Sequence, residues 1–131
     1  MYDLIILGGG PAGLTATVYA IHKRIETLLI TEDLGGKANY RMHIRGLEGY
    51  ETINGEEMVR KFQTQVEYLD FARLMDKAVS VEALHDNGGD ELFKVTTESG
   101  TSFVTRAVIV CTGARPRMLD VPGERRCIRS E

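Results

Sequence analysis

Short apolar runs that stop at glycines alternate along the chain with segments of helical period. Leu4 to Leu7 is unbroken apolar sequence, and Gly8, Gly9 and Gly10 follow at once. A run so short, closed by glycine, reads as a strand buried on both faces, and it is assigned to residues 2–7. From about Pro11 to His22 the pattern predicts a helix, with Ala12, Ala16 and Ala20 providing small side chains for close packing on a sheet. Ile25 to Ile30 is the second predicted strand, ending at Thr31-Glu32-Asp33. Strand, helix and strand make a βαβ unit of about 30 residues, the usual size of that motif.

The middle of the chain reads differently. Leu34 to Gly55 carries Gly35, Gly36, Gly46, Gly49 and Gly55 and no clear period. A loop of that length is functional or disordered. Arg41, His43 and Arg45 place positive charge in it, which fits a ligand-facing stretch and a solvated loop face equally well. A second helix then starts at Asn54, a suitable N-cap, with Glu56 and Glu57 in its first turn to complement the dipole. Met58, Phe62, Val66 and Leu69 fall on one stripe, which is read as core.

Beyond Arg73 the period shortens to that of strands. Residues 74–82 alternate loosely, and Asn87-Gly88-Gly89-Asp90 is a turn. Leu92–Thr97 and Thr101–Thr105 flank Glu98-Ser99-Gly100 as a hairpin, so the three strands predict an antiparallel meander. Ala107 to Cys111 is a second buried apolar run, stopped by Thr112-Gly113-Ala114-Arg115-Pro116. It is expected to return to the parallel sheet beside the first strand, its end at the edge where α/β sheets bind ligands. Residues 1–116 are read as one domain and residues 117–131 as a tail or linker.

Chemistry enters through the first turn. Gly8, Gly10 and Gly13 satisfy the G-x-G-x-x-G spacing between a predicted strand and a predicted helix. Gly8 allows the tight turn, Gly10 lets the backbone approach a diphosphate, and Gly13 lets the helix lie against the strand. Pro11 suits a first helical position. The free N–H groups behind it, backed by the helix dipole, face the diphosphate. Glu32, about 20 residues further on, is placed to accept hydrogen bonds from a ribose; Thr31 or backbone groups could serve instead, and a solvated loop acid is the plain alternative. The expected fold is therefore α/β: a Rossmann-like dinucleotide-binding domain with a parallel sheet, two main helices and the meander on one side.

Composition narrows the partners. The 131 residues are 43% hydrophobic and 27% charged, with a net charge of −3. These values suit one globular domain with one core and give no support to binding nucleic acid or an anionic membrane surface. No stretch is long enough to span a membrane, and no signal peptide is visible at the N-terminus. Cys111 and Cys127 form no C-x-x-C, so no structural disulfide is expected and a cytoplasmic location is the default. His22, His43 and His85 stand singly, and no nucleophile-and-base arrangement is evident.

Taken in order, Gly8 to Gly13, Gly35-Gly36-Lys37, the meander, Cys111-Thr112-Gly113-Ala114-Arg115-Pro116 and Val121-Pro122-Gly123-Glu124 make a recognisable series. It resembles the FAD-binding half of the two-dinucleotide-binding-domain flavoproteins, and most of all thioredoxin reductase and the flavoprotein component of alkyl hydroperoxide reductase. The resemblance covers the whole chain. The paired glycines after the second strand, the T-G-A-x-P element and V-P-G-E are its specific part.

The resemblance implies FAD as cofactor and a set of binding residues. Gly8, Gly9, Gly10, Pro11 and Ala12 would hold the diphosphate, with Gly13 completing the cofactor-binding turn, and Thr31 and Glu32 would flank the adenosine ribose. Gly35, Gly36 and Lys37 match a family Gly-Gly-Gln beside the cofactor; a lysine there would place positive charge near phosphate or a reduced flavin. Gly46 falls where family members often carry Asn, which removes a side-chain contact. The backbone of Lys77, Ala78 and Val79 would meet the adenine edge. Cys111, Thr112, Gly113 and Ala114 match a family A-T-G-A near the diphosphate and ribityl, with Cys111 read as a small buried residue, not a redox thiol.

In thioredoxin reductases a second nucleotide-binding domain with a C-x-x-C follows the V-P-G-E stretch. This sequence stops there, holds no second G-x-G-x-x-G, and lacks the Gly-Asp segment that returns to the FAD domain. The expectation is an FAD-binding portion, a fragment or truncated form, with weak or no reductase activity alone. NAD(P)H and an electron acceptor would be partners only of a complete parent protein. Two alternatives remain: a non-catalytic flavin- or nucleotide-binding module that needs a partner chain, for instance a homodimer pairing sheet edges, and a plain NAD(P)-binding Rossmann domain.

Overall fold

The computed structural model describes residues 1–39, 64, 72–85, 91–114, 117, 121 and 122. The second predicted helix, the Arg41-His43-Arg45 stretch, Gly46, the turn at 87–90 and most of the tail lie outside the described residues; Thr64, inside the predicted helix, is helical.

Strand β1 (Tyr2–Gly9) leads through Gly10 into helix α1 (Pro11–His22), and β2 (Thr27–Leu34) returns beside β1. A 3₁₀ turn covers Gly36–Asn39. Four more strands follow: β3 (Ala72–Met75), β4 (Ala78–His85), β5 (Glu91–Thr97) and β6 (Ser102–Val110). All six belong to one sheet in the order β3-β2-β1-β6-β5-β4. The first four in that order are parallel, and β4, β5 and β6 form the antiparallel meander.

The alternation along β1 explains the layers. Leu4 and Ile6 point to one face and pack with Leu29 against Leu14 and Ala20 of α1. Ile5 and Leu7 point to the other face and pack with Leu28 and Ile30 against Val95 of β5, with Phe103 and Ala78 at the margin. The meander therefore folds over the face of the parallel sheet that α1 leaves open. Burial on both faces is why the run carries no polar residue. Each such aliphatic side chain contributes about 1.5–3 kcal/mol on leaving water.

Strand β6 joins the two halves. Ser102 to Thr105 pair with β5, and Thr105 to Val110 pair with β1. Thr105 belongs to both ladders, is fully buried, and its hydroxyl donates to the Ala107 carbonyl.

Three boundaries differ from those the sequence pattern predicts. The segments 101–105 and 107–111, expected as two strands, are one strand, because Thr105 hands the chain from one ladder to the other without a break. The segment 74–82, expected as one strand, is two: β3 pairs parallel with β2, and Asp76-Lys77 separates it from β4. Strand β2 also runs on to Leu34, because Leu34 pairs with Gly9 past a register shift. Glu32 and Asp33 thus lie within the strand and not beyond it.

Candidate functional site

The carboxyl ends of β1, β2, β3 and β6 share one edge of the parallel sheet, and four chain segments meet there. The first is the glycine turn. Gly8 adopts a φ of 106°, a left-handed conformation that glycine takes without strain. A Cβ on Gly8 would strike the Cys111 carbonyl, and a Cβ on Gly13 would overlap the Gly8 carbonyl oxygen. The helix therefore starts in direct backbone contact with the strand. Gly9 is closed in the same manner from β2, where a Cβ would meet the Asp33 carbonyl and, at 2.6 Å, the Thr31 hydroxyl.

Gly10 is unlike the other three. A Cβ built on it would find nothing within 4 Å, and its φ of −71° is open to any residue. No atom of the described chain explains this glycine. It is also the N-cap of α1, with no side-chain cap and no acidic residue in the first helical turn. The first intrahelical bond runs from Leu14 N–H to the Gly10 carbonyl at 2.9 Å. The N–H groups of Ala12 and Gly13 precede it, and Pro11 has none to satisfy. The result is a helix end with positive partial charge and bare backbone beside it.

The second segment is the end of β2. The Thr31 hydroxyl is buried and donates to the Asp33 carbonyl, while the Glu32 side chain is exposed. Gly35 donates its N–H to the Gly9 carbonyl at 2.7 Å, and a Cβ on Gly36 would lie 3.1 Å from the Gly10 Cα. The paired glycines thus lay the chain across the glycine turn, and Lys37 follows with an exposed side chain. The third segment is Cys111 to Ala114. The Cys111 N–H donates to the Leu7 carbonyl at 2.7 Å, which extends the β1–β6 ladder to the turn. The Cys111 Cβ comes within 3.5 Å of the Cβ position on Gly13. Thr112, Gly113 and Ala114 are exposed beyond it, and Gly113 has a positive φ of 69°.

The fourth segment, Asp76 to Val79, reaches the same edge through β3. The Asp76 N–H donates to the Thr31 carbonyl at 2.9 Å. One carboxylate oxygen of Asp76 accepts from the Lys77 N–H at 2.7 Å, and the other accepts from the Ser99 hydroxyl at 2.6 Å. The Ser99 hydroxyl, helped by the nearby Thr97 hydroxyl and the Lys77 amide, lowers the Asp76 pKa from 3.8 to about 2. Lys77 has its carbonyl committed as well, to the Glu98 N–H at 2.8 Å. Of the three residues expected to present backbone to an adenine, Ala78 and Val79 are therefore the two whose N–H groups are clear of the Asp76 carboxylate. Val79 is the residue skipped where the register shifts from Ala78–Thr97 to Ser80–Thr96.

The structure thus brings together Gly8 to Gly13, Thr31, Gly35, Gly36 and Cys111, with Asp76 tied to Thr31 by a direct hydrogen bond. Gly46 lies outside the described residues. Asp76 and Ser99 carry no signal in the sequence pattern. They are 23 positions apart, and Asp76 sits inside an apparently continuous strand pattern, so nothing local links them.

Residues 2–131 match the family described as pyridine nucleotide-disulphide oxidoreductase. The F component of alkyl hydroperoxide reductase from Staphylococcus aureus is 32% identical over 130 residues, which is 97% of this chain and 24% of that protein. The corresponding F component from Pseudomonas aeruginosa is 35% identical over 125 residues, 94% of this chain and 23% of that protein. Among solved structures, Lactococcus lactis thioredoxin reductase matches with a TM-score of 0.78 and 36% identity, covering 95% of this chain and 40% of that one. Streptococcus pyogenes thioredoxin reductase matches with a TM-score of 0.76 and 33% identity, covering 95% and 39%. The chain therefore spans about a quarter of the curated relatives and two-fifths of the reductase structures.

Proposed function

The chain belongs to the pyridine nucleotide-disulphide oxidoreductase family, and from that membership we propose that it is the FAD-binding portion of a thioredoxin reductase-like flavoprotein. The observation that carries the reading is Gly10. Glycine stands at a position where the described residues leave room for a side chain, directly beside an uncapped helix N-terminus. That pairing fits a ligand that needs the bare backbone and brings negative charge, as a dinucleotide diphosphate does.

Each neighbouring segment takes a part of the same ligand. The N–H groups of Ala12 and Gly13 bind the diphosphate, and Pro11 keeps the helix start rigid. Glu32 accepts from the ribose hydroxyls, with Thr31 buried behind it as support. Gly35 and Gly36 hold Lys37 over the glycine turn, where its ammonium offsets phosphate charge. Ala78 and Val79 present backbone to the adenine edge. Cys111, Thr112, Gly113 and Ala114 flank the ribityl side, and the Cys111 thiol serves as packing. When bound, the flavin supplies the capacity to carry hydride or electrons. In a complete parent protein, NAD(P)H is the donor and a disulfide or another acceptor receives the electrons. Among the described residues no helix is long and apolar enough to cross a membrane, and a cytoplasmic setting is part of the proposal.

Titration of the purified chain with FAD and, separately, with NADH and NADPH tests the reading. Quenching of flavin fluorescence on binding is the expected result. Binding of the nicotinamide dinucleotides with no response to FAD would replace it by a plain NAD(P)-binding domain.

A further inference from the structure

We propose that the Asp76–Ser99 contact is a positioning device for the adenine end of the dinucleotide site, holding the backbone of Ala78 and Val79 in place for recognition. The inference rests on the FAD reading and deepens it.

Asp76 is gripped from both sides. On one side its N–H is bound to the Thr31 carbonyl at the end of β2, one residue before Glu32. On the other side its carboxylate is bound to Ser99, in the turn between β5 and β6. Lys77 is held by the same turn, through the Glu98 N–H and its own N–H on the Asp76 carboxylate. The Ser99 hydroxyl is itself fixed by the Thr97 hydroxyl at 3.1 Å and the Thr101 hydroxyl at 3.3 Å. The single Thr97 hydroxyl proton goes either to the Ser99 oxygen or to the Thr101 carbonyl, which lies 3.2 Å away.

What leaves this clamp is the irregular piece of β4. Ala78 pairs with Thr97, two residues before Ser99, and Val79 is the residue the register skips, 55% exposed. A bulge re-aims the strand and is less constrained than a regular ladder. Recognition of a planar base edge by backbone groups needs those groups held to within a fraction of an ångström, or ordering them weakens binding. The clamp supplies that constraint and fixes it relative to Thr31 and Glu32, the ribose end of the same ligand. Because the carboxylate stays ionised far below neutral pH, the clamp does not loosen in the physiological range.

The test compares FAD with an analogue in which hypoxanthine replaces adenine, so that the hydrogen-bonding edge of the base changes and the rest does not. Dissociation constants are measured by flavin fluorescence for the full chain and for Asp76→Asn, Ser99→Ala and Ser99→Thr, with a thermal melt of each. The parent chain should bind the analogue about tenfold more weakly than FAD. Asp76→Asn turns one of the two accepting carboxylate oxygens into an NH2 donor, so either the Lys77 or the Ser99 bond loses its acceptor, and in Ser99→Ala the hydroxyl is gone. In both, the ratio of the two constants should fall to within about twofold of one. Ser99→Thr keeps a hydroxyl and should keep the parent ratio.

A role in stability alone would lower the melting temperature and leave the ratio at its parent value in all three variants, which overturns the inference while FAD binding stands. A parent chain that binds FAD without preferring adenine also overturns it. A parent chain that binds no FAD removes the functional reading, and the inference falls with it.

Discussion

The two ends of the proposed site are built by opposite means. At the glycine turn, backbone lies on backbone. Gly8 meets the Cys111 carbonyl, Gly13 meets the Gly8 carbonyl, and Gly36 lies over Gly10, with no side chain between them. At residues 76–79 the chain is held by side chains: one carboxylate, with the hydroxyls of Ser99, Thr97 and Thr101 around it. At Gly8 and Gly13 the first arrangement has almost no tolerance, because an added methyl group runs into a backbone carbonyl. The second is made of hydrogen bonds that can be removed singly and leave the fold standing. The glycine turn thus decides whether the fold forms, and the polar clamp decides how one edge of it is presented.

Gly13 puts this contrast under the greatest strain. Gly13→Val forces a branched side chain into the Gly8 carbonyl and should destabilise by about 4 kcal/mol or more, seen as loss of the cooperative melt. A Gly13→Val chain that melts like the parent would mean that α1 does not rest on β1 as described. On the meander face, Val95→Ala opens a gap beneath β5 against Ile5, Leu7 and Ile30. It should cost about 2 kcal/mol in denaturant unfolding, and a cost near zero would mean that the meander does not cover the sheet.

Asp76→Asn probes the polar end, and its effect should depend on pH. The folded-state pKa of about 2 lies below the ordinary 3.8. The unfolded chain therefore takes up a proton first as pH falls, so the carboxylate contributes stability above about pH 4 and loses it as pH drops towards 2. Asp76→Asn should melt below the parent at pH 7, with the gap closing between about pH 4 and 2. A gap of constant size across that range would contradict the hydrogen-bonded carboxylate.

Legibility in the sequence follows the same division. Strand β1, helix α1 and the parts Gly8 and Gly13 play in the turn can be read because the positive φ of Gly8 and the contact of Gly13 with the Gly8 carbonyl are local, whereas the Cys111 carbonyl that also crowds Gly8 is remote in sequence. Gly9 shows the limit of that reading. It looks like part of a phosphate-binding run, yet the structure gives it a packing reason from Asp33 and Thr31 on the next strand. The pattern divides the long β6 at polar Arg106, because the ladder exchange at Thr105 is decided by β1 and β5 and leaves no local mark. The division of 72–85 into two strands is hidden for the same reason: Asp76 is turned by Thr31 and Ser99, which are remote in sequence. Alternation reveals which face a residue occupies, but not which partner ends a strand.

Gly10 separates ligand binding from folding more cleanly than the other described glycines of the turn, since the described residues leave space for a methyl group there and the backbone is already in an ordinary conformation. The decisive measurement is FAD affinity of Gly10→Ala set beside its melting curve. We expect a melt within about 1 kcal/mol of the parent and FAD binding weakened at least about tenfold, because the methyl group occupies the space of the diphosphate. An Ala variant that binds FAD as tightly as the parent would show that the diphosphate does not lie on this turn.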